Sequence, residues 1–255
     1  MLTKSLGVPK RALPVLNLAF TAISTALVCA ATMFFTVYVP ATKGFFNVGE
    51  SMVFLSAILF GPFVGAFAGG VGSMLADLLL GYPHYAPATL VIKACEGFVV
   101  GILSNRNPKL SRLKWRLITS ILGLAAGLLL ATVGSTYYSG EMELTLGQML
   151  LTFYVPEAFW LALGLIAAAS TVLAGLLTEP EVGWLILSVF AGGFTMVLGY
   201  FIYEMYFLFS LFGIEAYAIA EVPVNIGQMT IGSIIAIPLS KIIKGCFARR
   251  TAPSP

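Results

Sequence analysis

The sequence predicts an all-α, polytopic transmembrane helix bundle of about eight crossings, each taking roughly 20 apolar residues. Three observations carry this. Of the 255 residues, 59% are hydrophobic and only 10% charged; the mean hydropathy is +0.96, far above that of soluble globular domains; and the basic residues gather where apolar runs stop. Lys4, Lys10 and Arg11 precede the first run, Arg106, Lys109, Arg112, Lys114 and Arg116 share one loop, and Lys241, Lys244, Arg249 and Arg250 close the chain. The positive-inside rule puts these three regions, and both termini, on the cytoplasmic side of a cell membrane. The helices carrying these charges are too apolar for a nucleic-acid-binding surface.

The opening MLTKSLGVPKRALP leads into an apolar run longer than a signal-peptide core, with no A-x-A-type exit, so the first helix is expected to be retained. That crossing is read as Pro14 to Tyr38. Ala22, Ala26 and Ala30 recur on it at four-residue steps, a small-residue ridge suited to close packing in the bundle or to docking a partner. Pro40 to Val48 reads as an outer loop containing Lys43. Gly49 to Leu80 holds two short crossings broken at Gly61-Pro62, the first of only about a dozen residues. Gly61, Gly65, Gly69 and Gly72 line the second of these, with Ser73 and Asp77 continuing the Gly69 column.

Gly81 to Pro87, GYPHYAP, is an ordered outer loop, and Ala88 to Ser104 returns inward with Thr89, Lys93 and Gly97 in one column beside Glu96. Beyond the basic loop, Leu117 to Gly134 crosses again, Leu144 to Val155 is expected along the interface, and Pro156-Glu157 starts a helix reaching about Leu177. Val182 to Phe209 carries Tyr200, Tyr203 and Glu204 near its outer end. Gly213 to Val222 is the last outer loop, and Pro223 to Ile243 closes the bundle with Asn225 and Gln228, Glu221 lying one turn above. Residues 1–255 form a single integral membrane domain with no sustained internal repeat.

Catalysis finds little support. Cys29, Cys95 and Cys246 are isolated, His84 is the sole histidine, and neither a metal site, a nucleophile–base set nor a phosphate-binding glycine loop is legible, so no cofactor is expected. Ionisable groups at membrane depth are functional by default. Lys93 and Glu96 either neutralise each other across one helical turn or line a pocket under the Tyr/His-rich loop. Asp77 caps its helix, anchors the loop or faces the same pocket. Glu221, Asn225 and Gln228 share a helical face whose acceptors and amide donors suit a heteroaromatic ring edge, although interhelical hydrogen bonding is the plainer role. Tyr82, Tyr85, Tyr200 and Tyr203 either form an interfacial belt or stack a planar ligand.

The block FGPFVGAFAGGVGSMLADLLLGYPHYAPATLVIKACEGFVVGIL (residues 60–103), the alanine ridge, and the segments VLGYFIYEMYF and AEVPVNIGQMTIGSIIAIPL resemble the substrate-binding (S) components of energy-coupling factor (ECF) vitamin transporters. The likeness is to the branch handling riboflavin, hydroxymethylpyrimidine or pyridoxine-type compounds. It implies high-affinity capture of a water-soluble vitamin or precursor, and partnership with a coupling transmembrane subunit and two cytoplasmic ATPases. It further implies that Ala22, Ala26 and Ala30 dock to that subunit and that the loops at Pro40–Val48 and Gly81–Pro87 close over ligand. The pocket is then assigned to Asn47, Glu50, Tyr82, His84, Lys93, Glu96, Tyr203, Glu204, Asn225 and Gln228. The resemblance covers 14–104 and 182–245, a six-helix core, with 117–177 as an inserted helical pair. A membrane enzyme or assembly factor acting on lipid, and a self-sufficient secondary carrier, are the alternatives.

Overall fold

The computed structural model describes residues 13–39, 44–106, 111–137, 139–146, 149–177 and 180–251. Lys4, Lys10, Arg11 and Lys109, which entered the charge argument, lie outside them, as does Lys43. The chain separates into two compact units, Met1–Asn107 with Trp184–Pro255, and Pro108–Gly183.

In the first unit, α1 (Leu13–Phe34) is followed by an antiparallel hairpin, β1 (Thr36–Val39) and β2 (Gly44–Asn47), with Thr36 opposite Asn47 and Val39 opposite Gly44. The expected end of the first crossing at Tyr38 and the loop reading over Gly44 to Asn47 are therefore corrected, while residues 40–43 of that loop lie outside the described ones. The run Thr36-Val37-Tyr38-Val39 is β-branched and aromatic, and it leaves the helix to pair with residues 44–47. Four residues of strand inside a continuous apolar run carry too little alternation to be told from helix.

The hairpin feeds α2 (Glu50–Phe60), whose 11 residues span only about 16 Å, roughly half a hydrocarbon core. The α2 residues from Val53 to Leu59 are all buried, so it is a core helix rather than a lipid-facing one. Pro62 opens α3 (Pro62–Leu80) at its first turn, and α4 is Ala86–Ser104. Among the described residues seven helices are long and apolar enough to cross a membrane, and α2 is the shorter eighth.

The glycines of α3 let its neighbours approach it on several sides. A Cβ on Gly69 would sit 2.8 Å from the Lys93 carbonyl oxygen of α4 and 3.0 Å from Val53 Cγ1 of α2, while Gly72 meets Thr25 and Val28 of α1. At the C-terminal end of α3, Gly81 adopts φ +87°, and the Tyr82 N–H reaches back to the Asp77 carbonyl at 2.8 Å, a Schellman-type stop.

α7 (Pro180–Ile202) continues through a π-helical stretch, Tyr203–Leu208, and a last turn, Phe209–Phe212. α8 runs from Ala218 to Thr251. It begins before Pro223, where the sequence placed its start, so Glu221, Asn225 and Gln228 lie on one unbroken helix. Phe54 and Ile58 of α2, Val189 and Met196 of α7, and Ala236 of α8 meet in the main core.

The second unit contains α5 (Arg112–Tyr137), β3 (Gly140–Leu146), β4 (Met149–Val155) and α6 (Glu157–Leu177). The stretch from Leu144 to Val155 forms part of a hairpin, with Gly140 opposite Val155 and Leu146 opposite Met149.

Candidate ligand-binding site

A small cavity of about 40 Å³ lies in the first unit, bordered by Gly44, Phe45, Asn47, Asp77, Tyr85, Thr89, Lys93, Tyr200, Glu221, Asn225 and Gln228. Five elements reach it. The α4 face supplies Thr89 and Lys93 one turn apart, with Tyr85 one turn before them at the helix start, as the helical period requires.

Lys93 is the cation of this wall. Its Nζ pairs with Glu50 at the first turn of α2 and, at 3.1 Å, with Glu96 on its own helix. All three side chains are buried, and Nζ lies 5.7 Å from the Tyr200 ring centroid, within cation–π range. An isolated buried charge is expensive, and two carboxylates on one ammonium compensate it. The ion pair and the pocket wall, offered by the sequence as alternatives, coexist.

The hairpin is tied in through Asn47. Its Oδ1 accepts from the Gly49 N–H at 2.9 Å, turning the chain into α2, and its own N–H donates to Gln228 Oε1 at 3.1 Å. Gln228 Nε2 in turn donates to Asn225 Oδ1 at 2.8 Å. That leaves Asn225 Nδ2 buried without a hydrogen-bond partner among the described residues, as is Asp77 Oδ2, from another residue bordering the cavity.

Beside the cavity, side chains of the π-helical stretch hold the Gly81–Pro87 loop. Tyr203 OH donates to the His84 carbonyl, Tyr85 OH donates to Glu204 Oε1 at 2.9 Å, and the Tyr200 and Thr89 hydroxyls share a hydrogen bond at 2.9 Å. The Tyr85 ring lies 5.8 Å from Tyr203 and 6.3 Å from Tyr200. Tyr203 and Glu204 follow Tyr200 by three and four residues and so share its helical face, at the point where the π-helical stretch begins, a distortion common at functional sites. In the loop, partial burial pushes the His84 imidazole below its ordinary pKa and the Tyr82 phenol above its own.

The family described as "ECF-type riboflavin transporter, S component" matches residues 13–144, slightly more than half of the chain. The chain belongs to that family. An uncharacterized protein from Pyrococcus woesei is 47% identical over 96 residues, which is 38% of this chain and 62% of that relative's length. The family match holds α1 to α4 and runs on through α5. The tail segments from Val197 onward lie beyond it.

Within this S component all the predicted residues except Tyr82 and His84 fall into three groups. Asn47, Lys93, Asn225 and Gln228 line the cavity; Glu50 and Glu96 stand behind it, holding Lys93; Tyr203 and Glu204 hold the loop above it. Tyr82 and His84 are not on the wall. The Tyr82 ring packs on Phe45 at 4.7 Å, and His84 contributes its backbone carbonyl. Asp77, Tyr85, Thr89, Tyr200 and Glu221 line the cavity but were not assigned to the pocket, although Thr89 lay in the Lys93 column, Glu221 shared a face with Asn225 and Gln228, facing the pocket was one alternative for Asp77, and stacking a ligand was one for Tyr85 and Tyr200. Gly44 and Phe45 had no such signal, because they depend on the hairpin.

On α1, Ala22, Ala26 and Ala30 are exposed and, with Thr25, Cys29, Met33 and, from α3, Phe67 and Leu75, border an open apolar groove of about 490 Å³.

Proposed function

We propose that this protein captures a water-soluble vitamin or precursor from the outer side of the cell membrane and presents it for ATP-driven uptake, both termini being cytoplasmic. The observation that carries the reading is a set of buried polar groups from five elements converging on one cavity inside a membrane bundle. Polar side chains at this depth are costly, and four of them, Asp77, Lys93, Asn225 and Gln228, are among the most buried in the chain. Family membership supplies the transport context.

A cavity of about 40 Å³ admits a water molecule but no vitamin ring, so binding requires the hairpin and the Gly81–Pro87 loop to yield. Both are joined to the bundle by a few hydrogen bonds, from Asn47 and Tyr203. The alanine face of α1 fits the docking of a coupling transmembrane subunit driven by two cytoplasmic ATPases, because small residues let a helix approach closely and the groove beside them is apolar.

Calorimetry on the purified full chain, with a panel of vitamins and precursors and no ATP, tests the capture step. One compound binding below micromolar Kd is expected. Asn225→Ala should weaken that compound by at least about tenfold and Cys29→Ser should leave it unchanged. A panel with no binder, or equal effects of the two substitutions, overturns the reading.

A further inference from the structure

We propose that the end of the first unit remote from the cavity binds an anionic phospholipid, its headgroup held by Arg106 beyond α4 and by Lys241 and Lys244 of α8, its acyl chains lying along α8. The position of α7 sets the levels of these residues. The Leu103 carbonyl accepts the Trp184 indole N–H at 2.8 Å and the Arg106 N–H at 3.0 Å, so Arg106 stands beside the first turns of α7. Further along α7, a Cβ on Gly193 would press on Met229 of α8. α7 runs towards the cavity, which Tyr200 borders, while α8 leads away from it, from Glu221 on. Equal lengths of helix, about 14 Å, separate Gly193 from Trp184 and Met229 from Pro238. Pro238 therefore lies close to the level of Trp184, and Lys241, less than one turn beyond it, close to the level of Arg106.

Lipid reaches this place, and the charge there is unmet. Ile231, Ile234, Ile235 and Ile242 are 39–67% exposed and form the lipid-facing side of α8. Lys241 lies two turns after Ile234 and continues that side, with Lys244 one turn further. Arg106, Lys241 and Lys244 are all exposed, and the ion pairs among the described residues are those of Lys93. Three cations without carboxylate partners thus stand where an apolar stripe ends, which is the depth at which a phospholipid carries its phosphate. The helix continues through Arg249 and Arg250, well past the roughly 20 residues that a hydrocarbon core needs. Basic residues just beyond a spanning helix attract anionic headgroups. The positive-inside rule orients a chain and calls for no bound lipid; here the ends of two helices converge beside a stripe for the acyl chains. A zwitterionic headgroup offsets its phosphate with its own ammonium, whereas phosphatidylglycerol brings a net negative charge to the three cations.

Native mass spectrometry tests this on the full chain, released from detergent holding equimolar phosphatidylglycerol and phosphatidylcholine with the same acyl chains. Phosphatidylglycerol adducts are expected to exceed phosphatidylcholine adducts by at least about fivefold, the worth of roughly one cation near an anionic surface. Lys241→Gln/Lys244→Gln should bring that ratio towards one, and Arg106→Gln, made separately, should lower it as well. Lys114→Gln/Arg116→Gln removes two exposed charges of α5 and should leave the ratio as in the parent. Equal losses in the two double variants mark a general attraction of a cationic protein for anionic lipid and overturn the site. A ratio near one in the parent, as when this end meets an acidic protein surface instead of lipid, overturns it too. Displacement of the bound lipid by excess soluble glycerol phosphate, which has no acyl chains for the isoleucine stripe, does the same.

Discussion

Lys93 on α4 and Glu50 on α2 form a buried ion pair across 43 residues of sequence, at the point where the β1–β2 hairpin enters the bundle. Glu50 follows Asn47 by three residues, so the cavity wall and the hairpin share one anchor. Lys93→Met leaves two buried carboxylates without their cation, and losing one partner of such a pair costs about 3–5 kcal/mol. A marked fall in the unfolding temperature in detergent is expected, partly restored in Lys93→Met/Glu50→Gln. No restoration in the double variant would remove the pair as the cause.

Gln228 accepts from the Asn47 N–H and donates to Asn225, so a single side chain joins the hairpin to α8. Gln228→Ala leaves the buried Asn47 N–H unpaired, at about 1–3 kcal/mol. Faster amide exchange at Phe45 to Asn47, measured by hydrogen–deuterium mass spectrometry, is the expected result, with α3 unaffected.

Tyr203 and Glu204 hold the Gly81–Pro87 loop through the His84 carbonyl and the Tyr85 hydroxyl. Tyr203→Phe removes one of these ties while keeping the ring contacts, worth about 0.5–1.5 kcal/mol. The ligand off-rate should rise by a few-fold, within the roughly tenfold that 1.4 kcal/mol represents. Surface-bound protein with ligand injected reads this directly, and an unchanged off-rate would separate the loop from ligand release.

Gly69→Val drives side-chain carbons into the Lys93 carbonyl and Val53. Backbone cannot yield as a flexible side chain can, and overpacking of this kind costs about 1–3 kcal/mol or more. Low yield and early aggregation on size exclusion are expected, whereas Gly245→Val, where a Cβ meets nothing, should behave as the parent.

Much of the architecture was legible in the sequence because a bilayer simplifies the problem. Backbone groups in hydrocarbon must pair within the segment, so long apolar runs become helices and their number can be read from length alone. The hairpins escaped because a four-residue strand inside an apolar run has no periodicity to display, and the early start of α8 escaped because Pro223 looked like a first-turn proline. In the site, Lys93, Asn225 and Gln228 stood out as polar groups in apolar surroundings. Phe45 and Tyr85 did not, since an aromatic residue near a membrane surface is ordinary.

By itself the sequence determined the class of fold, the helices and the polar columns at Thr89–Lys93 and Glu221–Asn225–Gln228, because these follow from hydropathy and the 3.6-residue period. Only the tertiary structure decided that Glu50 completes the Lys93 pair, that Gln228 ties Asn47 to Asn225, and that Asp77 and Asn225 face one cavity with unmet hydrogen bonds. Those relationships join residues on different helices, and no periodicity along one chain encodes which faces will meet.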